Sequence, residues 1–162
     1  MADESATPSL SLARYTTALE RAASLVERGR DMVLVLSQRG FTAVAASYDH
    51  SFALKRDGSL WAWGHNGVGQ LGLGDRETRF EPTRVGADSD WAAAVADRWH
   101  TLALKRDGSL WAWGDNTAGE LGLGDRSIRV EPTRVGADSD WATVVVGECY
   151  SLALKRDGSL WA

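Results

Sequence analysis

Cysteine is almost missing from this chain of 162 residues: Cys149 stands alone. A single cysteine forms no internal disulfide, and no Cys/His cluster has the spacing of a structural zinc site. A surplus of positive charge is lacking too. Eighteen basic side chains against 22 acidic ones leave a net charge of −4, so the basic face that neutralises nucleic-acid phosphates or anionic lipid is not available. Direct nucleic-acid binding and membrane binding are therefore not expected. No run is long and apolar enough to span a bilayer, and Asp3 and Glu4 stand where a secretory leader would be basic. The expected location is cytoplasmic. At 44% hydrophobic and 25% charged residues, the composition is that of a globular domain and not of a disordered tail.

What the chain has in plenty is tryptophan, eight residues, and internal repetition. Residues 51–100 match residues 101–150 at 34 of 50 positions without a gap. A third copy, YSLALKRDGSLWA, starts at Tyr150 and runs to Ala162 in mid-unit. In the other direction, 41–50 is in register with 91–100, and DMVLVL (31–36) falls where EPTRVG (81–86) does, so the register reaches back to about residue 30. A fixed period of this size marks a repeat architecture.

Each unit reads as short strands between turns. WAAAVAD and WATVVVG are compact apolar runs, and HTLALKRD and SLWAWG flank Asp107-Gly108, a dipeptide suited to a tight hairpin turn. The glycine-rich GxNxxGxLGLGDR that follows marks a structured loop. A fourth strand near RVEPTRVG carries a proline, which suits an edge. Four strands per unit make a β-propeller blade. Trp61 and Trp63 alternate with Leu60 and Ala62, as expected where both blade faces are covered by neighbours.

The strings ALKRDGSLWAWGHNGVGQLGLGD (53–75) and ALKRDGSLWAWGDNTAGELGLGD (103–125) are each preceded by a histidine, His50 or His100, and followed by Pro82 or Pro132. They resemble the regulator of chromosome condensation repeat, over residues 41–162. The resemblance implies the seven-bladed propeller of that family. Its members include the nuclear exchange factor for the small GTPase Ran, so guanine-nucleotide exchange is the alternative function that the resemblance raises. No residue here carries over onto a GTPase-docking wedge, and a nucleotide-release assay separates the two classes.

The expected fold is all-β: about two and a half to three four-stranded propeller blades, an incomplete ring, with a short N-terminal α-helix. Repeat units 41–90, 91–140 and the incomplete 141–162 lie within 30–162, and 1–29 forms a helical cap. Leu12, Tyr15, Leu19, Ala22 and Val26 fall on one face of a helix from about Ser9 or Ser11 to Arg28, with Gly29 as its C-cap. That face is read as packing on the first blade, with dimerisation as the alternative.

Several constellations look chemical without supporting chemistry. Gly67 to Gly72 matches the dinucleotide fingerprint, but LGLGDR follows it where an amphipathic helix is needed, so no nucleotide cofactor is expected. His50 and His100 have no nucleophile partner, and no enzyme activity is expected. The GADSD segments, with Asp88, Asp90, Asp138 and Asp140, are read as turns whose side chains bond their own backbone, and no metal is expected.

The functional signal lies in how the copies differ. Of the 16 differences between 51–100 and 101–150, ten fall at 65, 67, 68, 70, 77, 78 and 97–100, and none falls in KRDGS or GADSD. Antiparallel alternation puts the turn at 97–100 and the loop at 64–79 on one side of a blade. This variable rim is the expected docking surface for a protein partner of unknown identity, through Tyr48, Asp49, His65, Gln70, Arg98, Trp99, Asp115, Glu120, Glu148 and Tyr150.

A closed propeller needs about four to eight blades, so the ring is completed either by further residues or by several chains. The isolated 162-residue chain is expected to self-associate through uncovered blade faces. Light scattering checks this, and a cooperatively melting monomer contradicts it.

Overall fold

The computed structural model describes residues 40–162; the expected helix over 9–28 and strand over 31–36 lie outside the described residues. All regular structure among the described residues is antiparallel sheet. The first sheet runs β1 (Phe41–Ala46), β2 (His50–Lys55), β3 (Leu60–Gly64), β4 (Arg79–Arg84), paired in that order. The second repeats it with β5 (Trp91–Ala96), β6 (His100–Lys105), β7 (Leu110–Gly114) and β8 (Arg129–Arg134). The third comprises β9 (Trp141–Gly147), β10 (Tyr150–Lys155) and β11 (Leu160–Trp161). Pro82 and Pro132 sit in the edge strands β4 and β8, where the missing N–H costs no ladder bond. These are blade-like units, stacked so that β5 packs on β1 and β2 on one side and on β9 on the other.

The hairpin expected at Asp107-Gly108 forms, with Leu104 opposite Leu110 and Gly108 at φ +83°. Its turn explains why KRDGS repeats without change. Asp107 Oδ1 accepts from the backbone N–H (2.9 Å) and hydroxyl (2.6 Å) of Ser109, and Ser109 Oγ accepts from Trp111 Nε1 at 2.9 Å. The same relay runs through Asp57, Ser59 and Trp61. Its hydrogen bonds from Ser109 and Ser59 hold the Asp107 and Asp57 carboxyls below the ordinary carboxylate range.

The lysine of the motif does a second job. Lys105 Nζ lies 4.5 Å from the Trp111 ring centroid and 4.9 Å from that of Trp91, and it meets Asp88 at 2.6 Å and Asp90 at 3.1 Å. Lys155 repeats this with Trp141, Trp161, Asp138 and Asp140. The GADSD carboxylates thus hold a lysine of the blade that follows, which corrects the expectation that they bond their own backbone. Burial disfavours the charge of Lys105, but the bonds from Asp88 and Asp90 outweigh it and raise the ammonium's pKa.

The core lies between blades. One cluster joins Phe52, Leu60, Ala62, Leu71 and Val85 of the first sheet and its loop to Trp91, Ala103 and Trp113 of the second. Trp113 is fully buried, with Phe52 and Trp91 edge-on at 5.9 Å each. Its Nε1 donates to the Gln70 carbonyl at 2.9 Å, as does Thr101 Oγ1 at 3.0 Å. Gly72 is needed here, since a Cβ on it would stand 2.8 Å from Trp113 Nε1. Within the loop, buried Asn66 accepts from Leu71 N–H (2.9 Å) and donates to the Asp75 carbonyl (3.0 Å). The GxGxxG segment is therefore inter-blade packing.

His50 and His100 are buried at the start of β2 and β6, and His100 Nε2 shares a hydrogen bond with Ser151 Oγ of the third sheet at 3.0 Å. Burial pushes both imidazoles below their ordinary pKa, against the opposing hydrogen bond and charge of Asp49 on His50 and the charges of Asp97, Glu120 and Asp115 on His100. As pH falls through about 6.5 the unfolded chain protonates these histidines while the folded one keeps them neutral, so the stability present above that value is lost on acidification. Thermal unfolding between pH 7 and pH 5 is expected to show a falling Tm that His50→Asn and His100→Asn together flatten. The carboxylates held low keep their stabilising effect across this window and lose it only as pH falls below their ordinary value of 3.8. A Tm independent of pH across this window contradicts the assignment.

Candidate functional site

At one end of the blades the backbone of each first turn is stitched to the long loop beside it. His65 N–H donates to the Asp49 carbonyl at 2.8 Å, and Asp115 N–H donates to the Trp99 carbonyl at 2.9 Å. The β1–β2, β5–β6 and β9–β10 turns therefore share this rim with the loops 65–78 and 115–128. The ties are made by main chain, so they set the position of the rim without dictating its side chains.

Five of the expected contact residues, Tyr48, Asp49, His65, Arg98 and Trp99, meet at the junction of the first two blades, with Gln70 behind them. The Arg98 guanidinium carbon lies 4.6 Å from the Trp99 ring centroid and 5.6 Å from that of Tyr48, which belongs to the preceding blade. His65 stands edge-on to Trp99 at 6.3 Å. Gln70 Nε2 donates to His65 Nδ1 at 2.9 Å, and Asp49 lies 3.8 Å from the same ring nitrogen and 3.5 Å from His50. Tyr48 is 83% exposed, Arg98 is exposed and Trp99 is half-buried. Trp99 is also the one tryptophan of eight outside the repeated positions 61/111/161, 63/113 and 91/141. Asp49 and Cys149 occupy its place in the other copies, so blade packing does not require it.

The remaining expected residues divide. Gln70 and Glu120 are buried, which removes them from the contact surface: Gln70 Oε1 accepts from Val68 N–H at 3.1 Å, and Glu120 Oε2 accepts from Ala118 N–H at 2.8 Å. They shape the loops from inside. Their variation between copies accompanies bonds inside the loop, which variability alone does not distinguish from surface exposure. Asp115 turns back on its own loop, accepting from the N–H groups of Asn116 (2.9 Å) and Thr117 (3.2 Å). Glu148 and Tyr150 are exposed on the third blade, where the Tyr150 ring lies against Gly147 and not in the Tyr48 cluster. Asp97, which sequence reasoning did not select, buries an unpaired Oδ1 beside the same turn. Only the fold could have revealed it.

Among the described residues no group of three or more His, Cys, Asp or Glu side chains is arranged to hold a metal ion, and no helix is long and apolar enough to cross a membrane.

Known proteins share both the repeat and the blades. The Ultraviolet-B receptor UVR8 of Arabidopsis thaliana is 50% identical over 42 residues, 26% of this chain and 10% of the receptor. The probable E3 ubiquitin-protein ligase HERC3 of Homo sapiens is 50% identical over 42 residues, 26% of this chain and 4% of the ligase. This chain thus spans a tenth or less of the length of these relatives. Among solved structures, Prp20p of Saccharomyces cerevisiae, studied with its binding to Gsp1p and histones, superposes with a TM-score of 0.68 at 25% identity. That match covers 75% of this chain and 32% of Prp20p. Human WBSCR16 shares the fold with a TM-score of 0.64 at 24% identity, over 74% of this chain and 32% of its own. The regulator of chromosome condensation (RCC1) repeat matches at residues 41–70, 57–104 and 107–154. With most of its length covered by that repeat, folded as the repeat requires, this chain belongs to the regulator of chromosome condensation repeat family.

Proposed function

We propose that the chain is a non-catalytic protein-interaction platform whose partner docks on the variable rim around Trp99. The observation that carries this reading is the place of Trp99 itself. It lies half-buried at a position with no packing role in the other copies, beside an exposed arginine and tyrosine. Tryptophan, tyrosine and arginine are the residue types that most often anchor protein interfaces. The opposite end of the blades is a poorer candidate, because the Lys, Asp and Ser side chains of its KRDGS and GADSD segments are engaged in the contacts that hold the turns. Binding of Gsp1p and histones by Prp20p, and the Kap60-bound complex of the same yeast protein, lend support to protein partners for a chain of this fold.

Trp99→Ala is expected to leave the melting transition nearly unchanged while costing about 2 kcal/mol or more in partner binding. Trp113→Ala, in the inter-blade core, is expected to cost about 3–5 kcal/mol of stability. Thermal melts of both variants, together with photo-crosslinking from a reactive side chain placed at 48 or at 106, measure the two effects. The reading fails if crosslinks to other proteins arise from position 106 and not from 48, or if Trp99→Ala melts as badly as Trp113→Ala.

A further inference from the structure

The arginines at the repeated positions 79/129 and 84/134 are tied into the fold by polar contacts, whereas those of the RDG turns and at 76 and 126, like Arg98, make none among the described residues. Arg129 pairs with Asp125 at 2.6 Å, and Arg84 and Arg134 donate to turn carbonyls at 2.7 and 2.9 Å. Arg98 is used differently. Its guanidinium carbon lies 4.6 Å from the Trp99 ring centroid of its own turn and 5.6 Å from that of Tyr48 in the neighbouring blade, so its contacts are with two aromatic rings and not with a carboxylate. Its N–H edges donate to no side chain or carbonyl, and it forms no ion pair, among the described residues. The carboxylate of Asp49, next to Tyr48 in the same turn, faces His50 at 3.5 Å and His65 at 3.8 Å.

We infer that the partner presents a carboxylate, from an acidic protein segment, to the edge of the Arg98 guanidinium beside Trp99 and Tyr48; this deepens the platform reading and rests on it. A guanidinium edge is a planar fork of donors that matches the two oxygens of a carboxylate, and a charge-assisted pair of this kind is the strong form of hydrogen bond. The cation–π contact with Trp99, and the longer one with Tyr48, restrain the side chain before the partner arrives, which lowers the entropy that binding has to overcome. The arrangement is particular to this junction: Tyr48 and Glu148 replace Arg98 in the other copies, and Asp49 and Cys149 replace Trp99. A protein segment fits better than a free small carboxylate. The latter gains one exposed and salt-screened contact, whereas a segment also covers Tyr48, which is 83% exposed, and the half-buried Trp99.

The test uses an array of short peptides of varied composition, probed with the full chain and with Trp99→Ala to find those whose binding depends on the rim. Rim-dependent peptides are expected to contain Asp or Glu, and a twin with Gln for Glu should bind about tenfold more weakly, the scale of a hydrogen bond to a charged group. Arg98→Gln should abolish the difference between twins, and Arg98→Lys should restore only part of it, because an ammonium has no fork. Circular dichroism melts establish that each variant is folded. If rim-dependent peptides bind equally well as Gln twins, or are basic, the carboxylate inference is overturned while the platform reading stands. If peptides bind without depending on Trp99 or Arg98, or if none binds, both are overturned.

Discussion

A blade of four strands has two apolar faces and no means of burying either by itself, so the whole fold depends on how closely neighbouring blades approach. Trp113 is where this constraint is sharpest. Its ring fills the gap between the first two sheets, its N–H is taken by the Gln70 carbonyl of the neighbouring loop, and Gly72 leaves the room for it. The same loop reaches further, with Gly74 N–H donating to the Val130 carbonyl of the adjoining edge strand at 2.9 Å. Glycine-rich composition here serves contact between repeats and not flexibility.

The two ends of the blades carry unequal shares of this work. At the KRDGS end, side chains do the joining: Lys105 binds the aspartates that lead into its blade, and Asp107, Ser109 and Trp111 form a chain of hydrogen bonds. Altering any of these residues breaks a structural contact. At the opposite rim, backbone bonds to the Asp49 and Trp99 carbonyls tie each first turn to the long loop of its own blade, and side chains make fewer joins between blades, His100 with Ser151 and Gln70 with the Arg98 carbonyl. This division accounts for the uneven distribution of differences between copies. It also shows why two variable positions, Gln70 and Glu120, are not surface: they vary with the loop they brace, from inside it.

Membership of the regulator of chromosome condensation repeat family speaks to architecture more than to activity. Relatives as different as an ultraviolet-B receptor and a probable ubiquitin ligase carry similar repeats, as expected where function resides in sites placed on a common scaffold. In this chain the repeats differ most along the rim that includes the junction where Tyr48 of one blade meets Arg98 and Trp99 of the next.

The sequence by itself determined the repeat, the four-strand unit, the hairpin at Asp107-Gly108 and the edge role of the prolines, because each follows from local chemistry: turn conformation, side-chain alternation and a missing N–H. It also placed the variable turns and loops at one end of the blades. Contacts between residues far apart in the chain were decided only by tertiary structure. Nothing in the spacing of GADSD and KRDGS says that Lys105 lies between two carboxylates and two indoles, or that Arg98 rests on a tyrosine fifty residues before it. Whether a polar side chain faces solvent or a neighbouring blade depends on how sheets stack, and periodicity within one strand carries no information about that distance.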